Sequence, residues 1–70
     1  MKNLNGELNE IIEITTDSKL KRLFIILKEN FLEPKQRELQ IKLIIRYITA
    51  NMDYNEKYLE KVNKFLIKLK

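Results

Sequence analysis

Apolar side chains recur at spacings of three and four residues along most of the chain, and this spacing places them on one face of an α-helix. The sequence contains one glycine and one proline, so few positions can break a helix. The β-branched run near the amino terminus has no second strand-like run to pair with. The pattern therefore predicts a single all-α domain over residues 1–70.

Four helices are predicted from the periodicity and the turn residues. The first covers about Asn5 to Thr16, the second follows Asp17 and ends at Glu33, the third runs from Pro34 to about Asn51, and the fourth starts at Asp53. An aspartate accepts hydrogen bonds from the free amides of a first helical turn, and the residue before a proline is disfavoured in a helix. Three short connections predict a small antiparallel bundle.

The third predicted helix is apolar on two sides. One side carries Ile41, Ile44, Ile45, Ile48 and Met52, and the nearly opposite side carries Leu39, Leu43, Tyr47 and Ala50. Two apolar sides are typical of a helix buried between neighbours. We therefore expect this helix to be the central helix of the bundle or, alternatively, the seam of a homodimer.

Positive charge is concentrated in the second half of the chain. Residues 1–33 have five basic and six acidic side chains, a net charge of −1, whereas residues 34–70 have nine and four, a net charge of +5. On the fourth predicted helix one row holds four lysines, Lys57, Lys61, Lys64 and Lys68. This lysine row predicts contact with an acidic protein, with nucleic-acid phosphates or with anionic lipid, although such rows are also typical of a solvated face.

Three further apolar residues, Ile25, Leu32 and Ile67, lie off the predicted core stripes. Together with Leu39, Leu43 and Tyr47 they are candidates for contact with a partner protein, because contiguous exposed apolar surface marks interaction sites. Scattered exposed apolar side chains are also common on ordinary surfaces.

Catalysis is not expected, because the residue types that it needs are missing. The sequence has no histidine and no cysteine, and no histidine is present to activate its single serine, Ser18. One glycine excludes a glycine-rich phosphate loop, and no EF-hand or zinc pattern is present. The sequence predicts a protein that is not an enzyme and has no cofactor and no metal site.

Nucleic-acid binding is the main alternative to protein binding. The third and fourth helices, joined at residues 51–53, have the outline of a helix-turn-helix, and lysines favour phosphate contact of low sequence specificity. Binding to a membrane surface is not favoured, because the bundle needs the apolar stripe of the last helix for its own core. No apolar run approaches the roughly 20 residues of a membrane span, so we expect a cytoplasmic protein.

At the level of helix pattern, the chain resembles the small helical bacteriocin immunity proteins of the enterocin A type. The similarity lies in the acidic first helix, in LKRLFIILKENF at Leu20 to Phe31, and in LIIRYITAN followed by a tyrosine-rich amphipathic helix. The resemblance implies a helical bundle with an immunity role.

These observations together predict a small regulatory or inhibitory protein that acts by binding another protein. Lysine, isoleucine and asparagine supply 28 of 70 residues, a bias typical of an AT-rich genome, so a bacterium or phage is the expected source. The lysine row is expected to attract an acidic partner, and the apolar candidates are expected to anchor it.

The purified chain is expected to give a far-ultraviolet circular dichroism spectrum of α-helix without a β-sheet component, because helical periodicity covers most of its length. A clear β-sheet signal would contradict the predicted architecture.

Overall fold

The computed structural model describes residues 4–51 and 55–69, and every regular element in these residues is an α-helix. The helices are α1 (Leu4–Ile14), α2 (Ser18–Glu29), α3 (Pro34–Ala50) and α4 (Glu56–Leu69). The radius of gyration of the Cα atoms is 11.2 Å, close to the value of about 11 Å for a compact chain of this length. The prediction of an all-helical chain with four helices is confirmed.

One buried cluster draws residues from all four helices. Two or three apolar side chains of each helix are almost fully removed from solvent: Leu8, Ile11, Leu20, Phe24, Leu27, Ile41, Ile44, Val62, Phe65 and Leu66. Their spacing along each helix follows the predicted stripes, because residues three or four apart share one face. Burial of this cluster is the main stabilising contribution that the described residues offer.

Asp17 begins α2 and also ties it to α3. Its Oδ1 atom accepts hydrogen bonds from the backbone amides of Lys19 at 2.9 Å and Leu20 at 3.3 Å. Its Oδ2 atom accepts a hydrogen bond of 2.8 Å from the hydroxyl of Tyr47. The predicted cap is therefore confirmed, and the same carboxylate holds the end of α3.

The second helix is shorter than predicted. It ends at Glu29 rather than Glu33. The Asn30 side chain donates a hydrogen bond of 3.0 Å to the Ile26 carbonyl, and residues 30–32 form a turn before the proline.

Two further predicted helix boundaries are also wrong. The first helix ends at Ile14 rather than about Thr16, and just beyond it the Thr15 hydroxyl bonds to the Ile11 carbonyl and the Tyr58 hydroxyl. Helix α4 begins at Glu56 rather than Asp53, and the Asn55 side chain accepts a hydrogen bond of 2.7 Å from the Lys57 amide. Asparagine caps a helix as well as aspartate does, so this sequence offered two caps. Asp53 itself lies outside the described residues.

The prediction that the third helix is central is also wrong. Within the described residues, α1 packs extensively against both α2 and α4, whereas α3 packs extensively only against α2. Ile41 and Ile44 of α3 are buried, but Leu39, Leu43 and Ile45 are 56%, 49% and 39% exposed. Both flanks of the buried stripe on α3 therefore reach solvent. Whether a second copy covers either flank stays a prediction.

Leu27→Ala is expected to lower the free energy of unfolding by about 2–5 kcal/mol, because truncating a fully buried leucine leaves a cavity in the core. Urea denaturation followed by circular dichroism measures the change. Leu32→Ala is the matched control: Leu32 is 92% exposed, so its loss should change stability by less than about 0.5 kcal/mol. Equal losses in the two variants would contradict the described core.

Candidate interaction surfaces

The lysine row of α4 makes ion pairs within the protein. The Nζ atom of Lys68 lies 2.7 Å from Glu7 Oε1, and that of Lys61 lies 2.8 Å from Glu10 Oε2. Lys64 pairs with Glu60 on its own helix at 3.4 Å. Three of the four lysines therefore have carboxylate partners, and two of these partners belong to α1.

The contact of Lys61 with Glu10 changes the acidity of the glutamate. The hydrogen bond from Lys61, together with its charge, lowers the pKa of the Glu10 carboxyl below its ordinary value. Near the other end of the seam between α1 and α4, burial raises the pKa of the Tyr58 hydroxyl, while its hydrogen bond with Thr15 acts in the opposite direction. The seam between α1 and α4 is thus closed by polar contacts beside the buried cluster.

Most of the unpaired positive charge of the described residues lies on α2 and α3 instead. Residues 17–50 contain eight basic and four acidic side chains, a net charge of +4. The other described residues contain four and five, a net charge of −1. Within the described part of the chain, most cations of α2 and α3 have no carboxylate within 4.0 Å: Lys19, Lys21, Arg22, Lys28, Lys35, Arg37 and Arg46. This distribution of charge was not predicted from the sequence.

Two exposed leucines stand on the side of α3 that borders α2. Leu39 and Leu43 are one helical turn apart and are about half exposed, and we call them the leucine ridge. Tyr47, one turn further, is half-buried because its hydroxyl bonds to Asp17. The structure therefore places Leu39 and Leu43 together at the surface, whereas Tyr47 makes a contact within the fold.

An apolar groove runs between α3 and α4, two helices that do not pack extensively against each other. Two adjoining hollows of about 520 Å³ and 290 Å³ share Ile45 and form this groove. Its apolar lining consists of Ile41, Ile45, Ile48, Leu59, Leu66 and Leu69. The sequence analysis assigned the isoleucine side of the third helix to the core, so it did not anticipate an open groove. Periodicity shows which side is apolar but does not show whether a neighbour covers it.

The other three apolar candidates are exposed but do not form one patch with the leucine ridge. Ile25 is 40% exposed on α2, Ile67 is 66% exposed on α4, and Leu32 is 92% exposed in the turn after α2. Ile25 lies in a shallow hollow with Lys21, Arg22 and other residues of α2. Ile67 belongs to neither hollow of the α3–α4 groove.

Two other features are absent from the described residues. Residues 4–51 and 55–69 contain no group of three or more acidic, histidine or cysteine side chains arranged to hold a metal ion. Among the same residues no helix is both long enough and apolar enough to cross a membrane.

Comparisons of the chain with protein-family models, with curated proteins and with solved structures found no match of any of the three kinds.

Stability in acid is expected to depend on the contact between Glu10 and Lys61. Because the pKa of Glu10 is lowered in the folded chain, the contribution of this carboxylate is present above its ordinary pKa and is lost as the pH falls through the lowered one. Lys61→Gln should return the pKa of Glu10 towards its ordinary value and remove this part of the acid sensitivity.

An NMR titration of the Glu10 carboxyl carbon in the wild type and the variant measures this shift. Lys57→Gln is the control, since Lys57 has no ion pair among the described residues. A pKa of Glu10 that is unchanged by Lys61→Gln would rule out the described ion pair in solution.

Proposed function

We propose that this protein is a non-enzymatic module that binds another protein, in a regulatory or inhibitory role, with α3 as the docking element. The observation that carries the proposal is the exposure of the leucine ridge, where Leu39 and Leu43 are 56% and 49% exposed one turn apart. Removing the remaining exposed surface of both from water would contribute about 1 kcal/mol per side chain. Neighbouring exposed apolar side chains of this kind mark candidate sites of contact between proteins.

The finer architecture that we propose is an antiparallel arrangement of neighbouring helices. Three contacts of α3 with α2 and the residues that flank α2 support it. Tyr47, near the end of α3, bonds to Asp17 at the start of α2, and Gln40 Nε2 donates to the Leu23 carbonyl at 2.9 Å. Arg37, near the start of α3, donates to the Phe31 carbonyl beyond the end of α2 at 3.2 Å. In this arrangement Gln40 and Tyr47 hold α3 against α2, and the leucine ridge stays outside.

The alternative of nucleic-acid binding through α4 loses its main support in this structure. Lys61, Lys64 and Lys68 already have carboxylate partners. A phosphate would have to compete with these partners. The described aromatic residues are buried or partly buried, which disfavours base stacking. The residues that join α3 to α4 in the helix-turn-helix outline lie partly outside the described residues.

A homodimer through α3, a bacterial or phage source, a cytoplasmic location and the resemblance to bacteriocin immunity proteins stay predictions from the sequence. A dimer through α3 could use either exposed flank of this helix, the leucine ridge or the side of Ile45. The oligomeric state of the purified chain is therefore one of the quantities to measure.

The proposal predicts that one protein is captured from a nuclease-treated lysate of the source cell by the tagged chain, and that Leu39→Gln/Leu43→Gln abolishes the capture. Glutamine keeps helix propensity while removing the apolar surface. Quantitative mass spectrometry of the bound fraction is the measurement. Ile14→Gln is the matched control, because Ile14 is 46% exposed on α1, a helix that does not pack extensively against α3. It should leave the capture unchanged.

Capture that survives the double variant, or that needs nucleic acid, would overturn the proposed docking role of α3. Light scattering of the purified chain measures its oligomeric state and so tests for a third result. A dimer that the double variant converts to a monomer would make a second copy the partner of the leucine ridge. Circular dichroism of each variant confirms that it is folded.

A further inference from the structure

We propose that the partner of the leucine ridge is an acidic amphipathic helix of another protein, seated on the outer side of the α2–α3 pair. This inference rests on the proposed function and goes beyond it by assigning the chemistry of the partner. It is carried by two independent observations. One is the exposed pair Leu39 and Leu43, and the other is the unpaired positive charge around it.

The position of the leucine ridge follows from the contacts that hold α3 in place. Gln40 and Tyr47 reach from α3 to α2, and on a helical surface Leu43 lies between them, three residues after one and four residues before the other. Leu39 precedes Leu43 by one turn. The ridge therefore runs along the outer border of the α2–α3 contact, where neither α1 nor α4 packs extensively against α3.

Cations flank this ridge at helical spacing. Lys35 lies four residues before Leu39, and Arg46 lies three residues after Leu43, so both are surface neighbours of the ridge. Both are exposed, and neither has a carboxylate within 4.0 Å in the described part of the protein. On α2, Lys19 and Arg22 are exposed and equally without an ion pair among those residues.

Charge complementarity determines the kind of helix that fits. The α2–α3 pair carries a net charge of +4 over residues 17–50, whereas the other described residues carry −1. A partner helix with apolar residues one turn apart would cover the two leucines, and acidic residues beside them would meet Lys35 and Arg46. Opposite charges at the rim raise the association rate and exclude basic partners.

A protein helix fits this surface better than a nucleic acid does. Phosphates would satisfy the cations, but a phosphate backbone would leave the two leucines without an apolar partner. Base stacking is disfavoured, because the described aromatic residues are buried or partly buried. An acidic amphipathic helix satisfies both the leucines and the cations.

The test uses the full chain and three fluorescent probes. The first is a helical peptide of glutamate, alanine and leucine whose leucines are spaced to form one stripe. The second is a peptide of the same composition with the stripe scrambled, and the third is a short DNA duplex. Fluorescence anisotropy at low and physiological salt measures binding. We expect the striped peptide to bind about tenfold more tightly than the scrambled one.

Variants of the chain test the contribution of the cations and that of the leucines separately. Lys35→Gln/Arg46→Gln should weaken binding of the striped peptide by about tenfold and flatten its dependence on salt. Lys57→Gln is the matched control, since Lys57 is exposed on α4 and has no ion pair among the described residues. Leu39→Gln/Leu43→Gln should also weaken binding, whereas Ile14→Gln should not.

Several results would overturn the inference. They are equal affinity for the two peptides, no binding of the striped peptide, and DNA binding that depends on Arg46 but not on the leucines. Phosphatidylglycerol vesicles serve as a further probe. Tight binding of the chain to these vesicles without binding of the striped peptide would also overturn the inference. A captured cellular partner that needs the leucines but tolerates Lys35→Gln/Arg46→Gln would preserve the proposed function and reject only the acidic partner.

Discussion

Two ion pairs between α1 and α4 determine how charge is distributed over this protein. Glu7 and Glu10 hold Lys68 and Lys61 against α1 at 2.7 and 2.8 Å. Each pair contributes little to stability, because water and salt screen charges at the surface. Their effect on the surface charge is larger, because they neutralise half of the lysine row, while α2 and α3 keep most of their positive charge unpaired. The lysine row is prominent in the sequence, but in the folded protein the glutamates of α1 pair with two of its members.

The fold was largely predictable, because it follows from local periodicity. The stripes of α1, α2 and α4 led directly to buried residues such as Leu8, Phe24 and Val62, and Asp17 was recognised as a cap from its residue type. The start of α4 was not predicted correctly, since Asn55 and Asp53 have similar capping chemistry. The position of α3 was also misjudged. An apolar helix face is encoded in the sequence, but the number of neighbours that cover it is a property of the whole packing.

The candidate surface was only partly predictable. Leu39 and Leu43 were identified from their side of α3, and both are exposed. Tyr47 belonged to the same row, yet its hydroxyl meets Asp17, thirty residues away in the sequence. The basic surface was assigned to α4, because net charge was counted along the chain. Counting by segments cannot reveal pairs such as Lys68 with Glu7, which are sixty-one residues apart.

The two oxygens of the Asp17 carboxylate have different tasks, and this division links events that are usually separate. One oxygen holds the first amides of α2, and the other holds the end of α3 through Tyr47. Fraying of the first turn of α2 would therefore release the tip of α3 at the same moment. Local and tertiary opening then belong to one cooperative unit, so amide exchange in these two distant segments should be governed by a common opening equilibrium.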